Sequence, residues 1–235
     1  MKTPQTFAAA LAETCLPSVF NPYRETCPLH DRPDAVELRQ RNLTRCLEAA
    51  LEASVDTIWV ARDLGYRGGR RTGVPLTDEI HLRSAATLMG GIELERATHG
   101  PAVAERTAAV IWRVLSCIRQ PVFLWNIFPL HPHETDDPFT NRCHTRLERD
   151  ATWPLLIALI DMIQPKRIVA IGREAGLALA DIDVPVHVVR HPSYGGQAEF
   201  IAGVCALYGI NGDQASVKQG SLQFSSDHAG SDAAA

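Results

Sequence analysis

Three apolar runs, each ending abruptly in a polar or glycine-rich segment, constrain this chain more than any other feature. Thr57-Ile58-Trp59-Val60 runs into Ala61-Arg62-Asp63-Leu64-Gly65-Tyr66 and on to Gly73-Val74-Pro75-Leu76. Pro121-Val122-Phe123 runs into Leu124-Trp125-Asn126, and Val184-Pro185-Val186-His187-Val188-Val189 into Arg190-His191-Pro192-Ser193-Tyr194-Gly195-Gly196. Short β-branched and aromatic runs separated by helical patterns form parallel strands covered on both faces. The carboxyl ends of such strands face one crevice, where ligands bind. A carboxylate, a carboxamide and an imidazole are therefore expected to meet at one edge.

The remaining periodicity fits that frame. Helices are expected over Thr6 to Glu13, after an Asp34 N-cap with Leu38, Leu43, Leu47, Ala50 and Leu51 as its apolar stripe, and from Asp78-Glu79 to Gly90-Gly91. Val103 to Ile118, Arg146 to Gln164, Arg173 to Ala180 and Phe200 to Leu207 read the same way. Strands are expected at Thr57 to Ala61, Val122 to Trp125, Arg167 to Ile171 and Val186 to Val189, with a loop from Phe128 to Asn141. The expected fold is a three-layer α/β/α arrangement around a central four-stranded parallel sheet. One domain is expected over residues 1–210. Residues 211–235, rich in Ser, Gly, Asp, Gln and Ala, read as a disordered tail.

At 235 residues the chain can bury one full core. A net charge of −4 gives no global basic footprint, so a nucleic-acid partner has to be argued from local charge. Arg62, Arg67, Arg70 and Arg71 form such a local cluster around the first segment, either as a solvated face or as phosphate contacts. The six cysteines contain no CxxC pair, which removes zinc-ribbon and thioredoxin-like readings. Cys117 and Cys205 lie in apolar helical patterns and read as core thiols. The polar start interrupts any signal-peptide core, and no stretch has the length of a membrane span, so a cytoplasmic protein is expected.

One rival constellation is present. His131, His133, Glu134, Asp136, Asp137, Cys143 and His144 are residue types that bind divalent metals, which opens a metallohydrolase reading. His131 and His133 do not form a helical i, i+4 pair, and a charged loop of this kind is ordinarily solvated. Glu95, Glu148 and Glu174 read as helix-surface carboxylates.

The order of the pieces resembles the uracil-DNA glycosylase superfamily. Ala61-Arg62-Asp63-Leu64 stands at the end of the first strand, Gly73 follows at the family's gap, Asn126 ends an apolar strand, and His191-Pro192-Ser193 opens the last loop. The third strand, ending Ala170-Ile171-Gly172, matches the family's penultimate strand, and the resemblance spans roughly residues 55–205. It implies a monofunctional enzyme that hydrolyses the N-glycosidic bond of uracil in DNA, with no cofactor or metal and with a monomer sufficing. Asp63 would stabilise the sugar cation and orient water, His191 would donate to the uracil O2, and Asn126 would read the base edge. Gly73, Tyr66 and Leu76 would shape the base pocket. Arg67, Arg70, Arg71 and Ser193 would contact DNA phosphates, and Tyr194 and Gln197, on the Gly195-Gly196 loop, would wedge into the duplex.

Departures from the family pattern bear on base preference. The tyrosine that excludes the thymine methyl is displaced by one, so Tyr66 or Tyr23 would have to replace it. Leu76 stands where a stacking aromatic is expected, which keeps hypoxanthine or xanthine open as alternative bases. The cysteine spacing of the iron–sulfur branches is missing.

Overall fold

The computed structural model describes residues 1–211. The elements in chain order are α1 (Pro4–Ala12), β1 (Val19–Phe20), α2 (Ala35–Glu52), β2 (Thr57–Asp63), α3 (Gly69–Thr72), α4 (Leu82–Leu88) and α5 (Arg106–Leu115). They continue with β3 (Phe123–Phe128), β4 (His131–Pro132), α6 (Arg146–Ile163), β5 (Arg167–Ile171), α7 (Arg173–Ala178), β6 (Val186–Val189) and α8 (Gln197–Tyr208). Four strands form one parallel sheet in the order β3-β2-β5-β6. The chain passes from β2 to β3 on one side, then crosses back to β5 on the other. That reversal opens a crevice at the carboxyl ends of β2 and β5.

Alternation along each strand divides the core into two layers. Ile58 and Val60 of β2, Phe123, Trp125 and Ile127 of β3, and Ile168 and Ala170 of β5 pack with α1, α2 and α6. Trp59, Ala61, Leu124, Val169 and Ile171 pack on the other face with α5 and α8. Helices thus cover both faces, as the apolar strand composition requires. The expected three-layer α/β/α fold is the observed one.

Several boundaries differ from those expected, each for a physical reason. The helix expected from Asp78 begins at Leu82, because Asp78 and Glu79 are turned inward to accept backbone N–H groups. Asp78 takes those of His81 at 2.9 Å and Glu105 at 2.6 Å, and Glu79 takes that of Val103 at 2.8 Å. The same contacts hold 103–105 extended, so α5 starts at Arg106 rather than Val103, and it ends before Cys117. Asp34 occupies the cap position of α2 without a side-chain cap bond, being paired with Arg32 instead. β1 pairs antiparallel with β4 across the loop expected to be irregular. α8 begins at Gln197, which places that residue on a helix rather than on the preceding loop. The disorder expected for residues 211–235 lies, apart from Asn211, outside the described residues.

The N-terminal segment braces the site from behind. The buried Asn21 carboxamide bonds to the Leu11 and Thr14 carbonyls, both at 2.8 Å, and accepts from the Tyr23 N–H at 2.9 Å. Tyr23 in turn donates its hydroxyl to the Gly73 carbonyl at 2.9 Å. A buried Arg39–Asp31 pair ties this segment to α2. Tyr23 is therefore a strut of the fold and not a wall of the base pocket.

Candidate active site

The end of β2 is the centre of the site. Asp63 is 7 % exposed and both carboxylate oxygens are engaged. Oδ2 accepts from Arg62 Nε at 2.5 Å, and Oδ1 pairs with His144 Nδ1. Arg62 reaches on to Glu174 at the start of α7. Contacts of this kind fix the carboxylate in direction.

Asn126 lies across the ladder from Ala61, fully buried and on the same sheet face. Its Nδ2 donates to the Asp63 carbonyl at 2.9 Å, which fixes the amide orientation because that oxygen can only accept. Its Oδ1 is buried with no donor among the described residues. A buried orphan acceptor costs on the order of 1–3 kcal/mol. An N–H or O–H donor from a ligand or a water would satisfy it.

His191 follows β6. The Ser193 N–H donates to His191 Nδ1 at 3.2 Å and the Ser193 hydroxyl lies 2.7 Å from the same atom. Nδ1 is thus the acceptor, so the neutral ring carries its proton on Nε2. Burial, followed by the Arg62 and Arg190 charges, lowers the His191 pKa and favours that neutral form. Two glycines leave room for His191. A Cβ on Gly172, which follows β5, would lie 3.2 Å from that of His191, and a Cβ on Gly196 would lie 2.2 Å from the His191 carbonyl oxygen.

Asp63 and His191 line a common cleft of about 420 Å³ with Leu64, Gly65, Leu76 and Glu105. Leu76 is buried at φ +58°, a strained conformation for a leucine, and its carbonyl is held by the Trp112 indole N–H at 3.2 Å. Tyr194, at φ +50° and 98 % exposed, stands on the rim with Ser193. Gln197 opens α8, its carboxamide facing the Arg113 guanidinium.

Other expected site residues fall elsewhere. Gly73, at φ +69°, lies on the far side of its loop, where a Cβ would be 2.6 Å from that of Arg39. Its role is close packing and not the cleft wall. Tyr66 and Arg67 belong to a neighbouring cleft of about 450 Å³ that includes His30 and His99.

Arg70 and Arg71 require a correction, since both are buried instead of facing DNA. Arg70 lies 4.0 Å over the Phe20 ring and reaches His131 Nδ1 at 3.1 Å. Arg71 lies 3.2 Å from the buried Glu79 carboxylate. Arg62 and Arg67 keep exposed surface, and the cleft gains Arg142, Arg173 and Arg190 on its walls. Glu148 and Glu174 are not plain surface carboxylates either. Glu148 is buried against Arg142 in a bidentate pair at 2.6 and 2.9 Å, and Glu174 holds Arg62.

The metal-type constellation disperses. His131 is buried between Arg70 and the Thr140 carbonyl, His133 bonds to the Glu134 carbonyl, and His144 turns to Asp63. Among the described residues no group of three or more His, Cys, Asp or Glu is arranged to hold a metal ion. Nor is any helix among them long and apolar enough to cross a membrane.

His144 is the partner of Asp63 that sequence reasoning did not join to it. It lies 81 positions from Asp63, so spacing could not join them. The available signal was local: His144 precedes Thr145, whose side chain and that of Glu148 form a capping box opening α6. A residue at a capped helix start has a fixed direction.

Comparison with known proteins agrees with this geometry. No curated protein matches the chain. The crystal structure of wild-type SMUG2 from Pedobacter heparinus is similar in fold, with 13 % identity, a TM-score of 0.59, and coverage of 89 % of this chain and 98 % of that one. The family model of the uracil DNA glycosylase superfamily matches residues 67–201, a span holding Asn126 and His191 but beginning after Asp63. The chain belongs to the uracil DNA glycosylase superfamily.

Proposed function

We propose that this protein is a monofunctional DNA glycosylase that removes uracil and leaves an abasic site. The orphan Oδ1 of Asn126 carries the reading. With one Nδ2 hydrogen on the Asp63 carbonyl the amide orientation is fixed, and the buried atom left without a partner among the described residues is an acceptor. Uracil offers N3–H to such an atom, whereas cytosine offers a lone pair and leaves both groups unpaired. Ala61, the cross-strand neighbour of Asn126, lines the cleft and marks the side from which a base reaches it.

The other groups supply the two charges that bond cleavage creates. As the C1′–N1 bond breaks, its electron pair leaves with the base and collects on O2, where the His191 Nε2–H donates. The sugar becomes cationic, and Asp63 stabilises it while directing water to C1′. The water loses a proton and the departing base gains one, so the reaction needs no other reactant. Tyr194, exposed on the rim, fills the space the flipped nucleotide leaves in the stack.

A second reading within the family is removal of hypoxanthine or xanthine. It is favoured by Leu76 and Gly65, which leave this cleft wall without an aromatic side chain.

The test is incubation with labelled oligonucleotides carrying uracil or hypoxanthine in the presence of a chelator, followed by alkali cleavage. Uracil-dependent cleavage that falls by about 10²–10³ in His191→Ala, the loss of one oxyanion donor, is the expected result. Absence of cleavage on single-stranded, U:G and U:A substrates rules out uracil as the target. Cleavage of the hypoxanthine strand alone selects the second reading.

A further inference from the structure

Resting on the glycosylase reading, we propose that the cleft beside the catalytic one is a subsite for the DNA nucleotide next to the excised one. Its base stacks on Tyr66 and His30, and its phosphate meets Arg67.

The two clefts share a wall. Gly65 and Glu105 line the catalytic cleft, while Tyr66 and Val103 line the second, of about 450 Å³. Asn141, on the catalytic cleft, accepts from the Tyr66 N–H at 2.8 Å and so pins the loop between the two. A strand with one nucleotide in the first cleft passes the neighbouring one over this loop into the second. A space of that size lies in the range that holds a small ligand.

The second cleft offers ring surface on a built wall. Tyr66 and His30 both line it, and both rest on Phe139, with centroids 5.3 and 5.5 Å away. Aromatic rings of this kind hold unpaired bases by stacking, whatever the sequence. The opposite wall is fixed by backbone pairing. The His99 N–H donates to the His30 carbonyl at 2.8 Å, the Arg32 N–H donates to the Ala97 carbonyl at 2.9 Å, and Asp31 bridges to Thr98. The buried Arg39–Asp31 pair anchors that ribbon to α2. Leu29, 68 % exposed on the same cleft, adds apolar surface for a base or sugar.

Charge selects an anionic occupant. Arg67 is exposed, and among the described residues it has no ion pair or hydrogen bond. Arg71 also borders the cleft, but its charge is matched by Glu79 at 3.2 Å, which leaves the phosphate to Arg67. No aspartate or glutamate lies among the described residues lining this cleft, whereas the catalytic cleft has Asp63, Glu105 and Glu174. A cationic, ring-walled pocket continuous with the catalytic cleft fits a nucleotide of the same strand.

The experiment follows single-turnover uracil excision from single-stranded oligonucleotides as enzyme concentration is varied. One substrate is intact. In two others the base on one side or the other of the uracil is replaced by a tetrahydrofuran residue. Wild type needs about tenfold more enzyme for half-saturation when the base that occupies the second cleft is missing. Tyr66→Ala shows a similar rise on the intact strand and no further rise on that gapped strand. Tyr66→Phe, which keeps the ring, restores the wild-type pattern. Arg67→Ala lowers the slope of log affinity against log salt by about 0.7, the value of one phosphate on a single strand.

Wild-type half-saturation that ignores both gaps overturns the proposal. So does a Tyr66→Ala loss that stays whole on both gapped strands, or no loss on the intact one. An unchanged salt slope in Arg67→Ala overturns the phosphate contact, and this exposed position decides the outcome if Tyr66→Ala fails to fold. If wild type releases no base from any strand, the glycosylase reading has failed. Anisotropy of a labelled thymine oligonucleotide then decides the cleft by itself. Weaker binding by Tyr66→Ala and Arg67→Ala supports a nucleotide subsite, and binding equal to wild type overturns it.

Discussion

Asp63 is held from two sides, by Arg62 and by His144, and the two partners are of different worth. Arg62 is partly exposed and shared with Glu174, so solvent and the second carboxylate dilute its hold. His144 is 11 % exposed, and among the described residues its Nδ1 has only Asp63. Removing it costs one charge-assisted hydrogen bond in a recessed site, roughly 1.5–3 kcal/mol, or about one to two orders of magnitude in rate. His144→Ala is therefore expected to lower single-turnover uracil excision by about 10- to 100-fold, with little change in binding to an abasic oligonucleotide. Asp63→Asn loses the charge itself and is expected to fall further. A His144 variant as active as wild type would remove that residue from the site. At this scale the sequence was legible where residues stood at strand ends. Asp63, Asn126 and His191 could be read from what preceded them. His144 could not, because its partner Asp63 lies 81 positions away in the chain. The buried Arg70 and Arg71 were misread for a related reason: their partners His131 and Glu79 lie in other segments.

Among the elements, the loop from Arg190 to Gly196 joins β6 to α8 and determines where the imidazole stands. Gly196 closes it by packing its Cα directly against the His191 carbonyl. Its φ of −78° is ordinary, so the need for glycine there is one of space and not of backbone freedom. Gly196→Ala has to push the His191 peptide away, at a cost of about 1–3 kcal/mol for an added methyl in a packed site. The expected outcome is a folded protein with reduced excision and altered Ser193–His191 contacts, the latter read from the imidazole ¹⁵N shifts. Unchanged tautomer and rate in this variant would contradict the packing argument. The same scale shows why strands were read more closely than helix starts. β5 matches its expected limits because a run of β-branched residues has only one way to lie in a covered sheet, and β6 matches its own although it is the edge strand, with Val188 58 % exposed. The start of α4 was misplaced because acidic residues that ordinarily open a helix are here spent on the backbone of 103–105.

For the molecule as a whole, burial of polar groups behind the cleft links stability to pH. His131 is fully buried between Arg70 and the Thr140 carbonyl, and burial followed by the Arg70 charge lowers its pKa to about 3. In the unfolded chain the same group titrates near 6.5. Between those values the unfolded state binds a proton that the folded state refuses. This contribution to stability is therefore complete above about pH 6.5 and is lost as pH falls. Between pH 7 and pH 5 the loss amounts to about 2 kcal/mol, at about 1.4 kcal/mol per pH unit once the unfolded imidazole is charged. Urea unfolding at the two pH values measures it directly. In His131→Gln, whose amide oxygen can still accept from Arg70, the difference between the two pH values should shrink by about that amount. His191 is also lowered by burial but is present in both proteins, so it cancels from the comparison. An equal pH dependence in wild type and variant would mean that His131 is not the neutral, sequestered group its position requires. The Arg70–His131 contact would then be an ion-repelling pair rather than the hydrogen bond that anchors the β1–β4 side of the site.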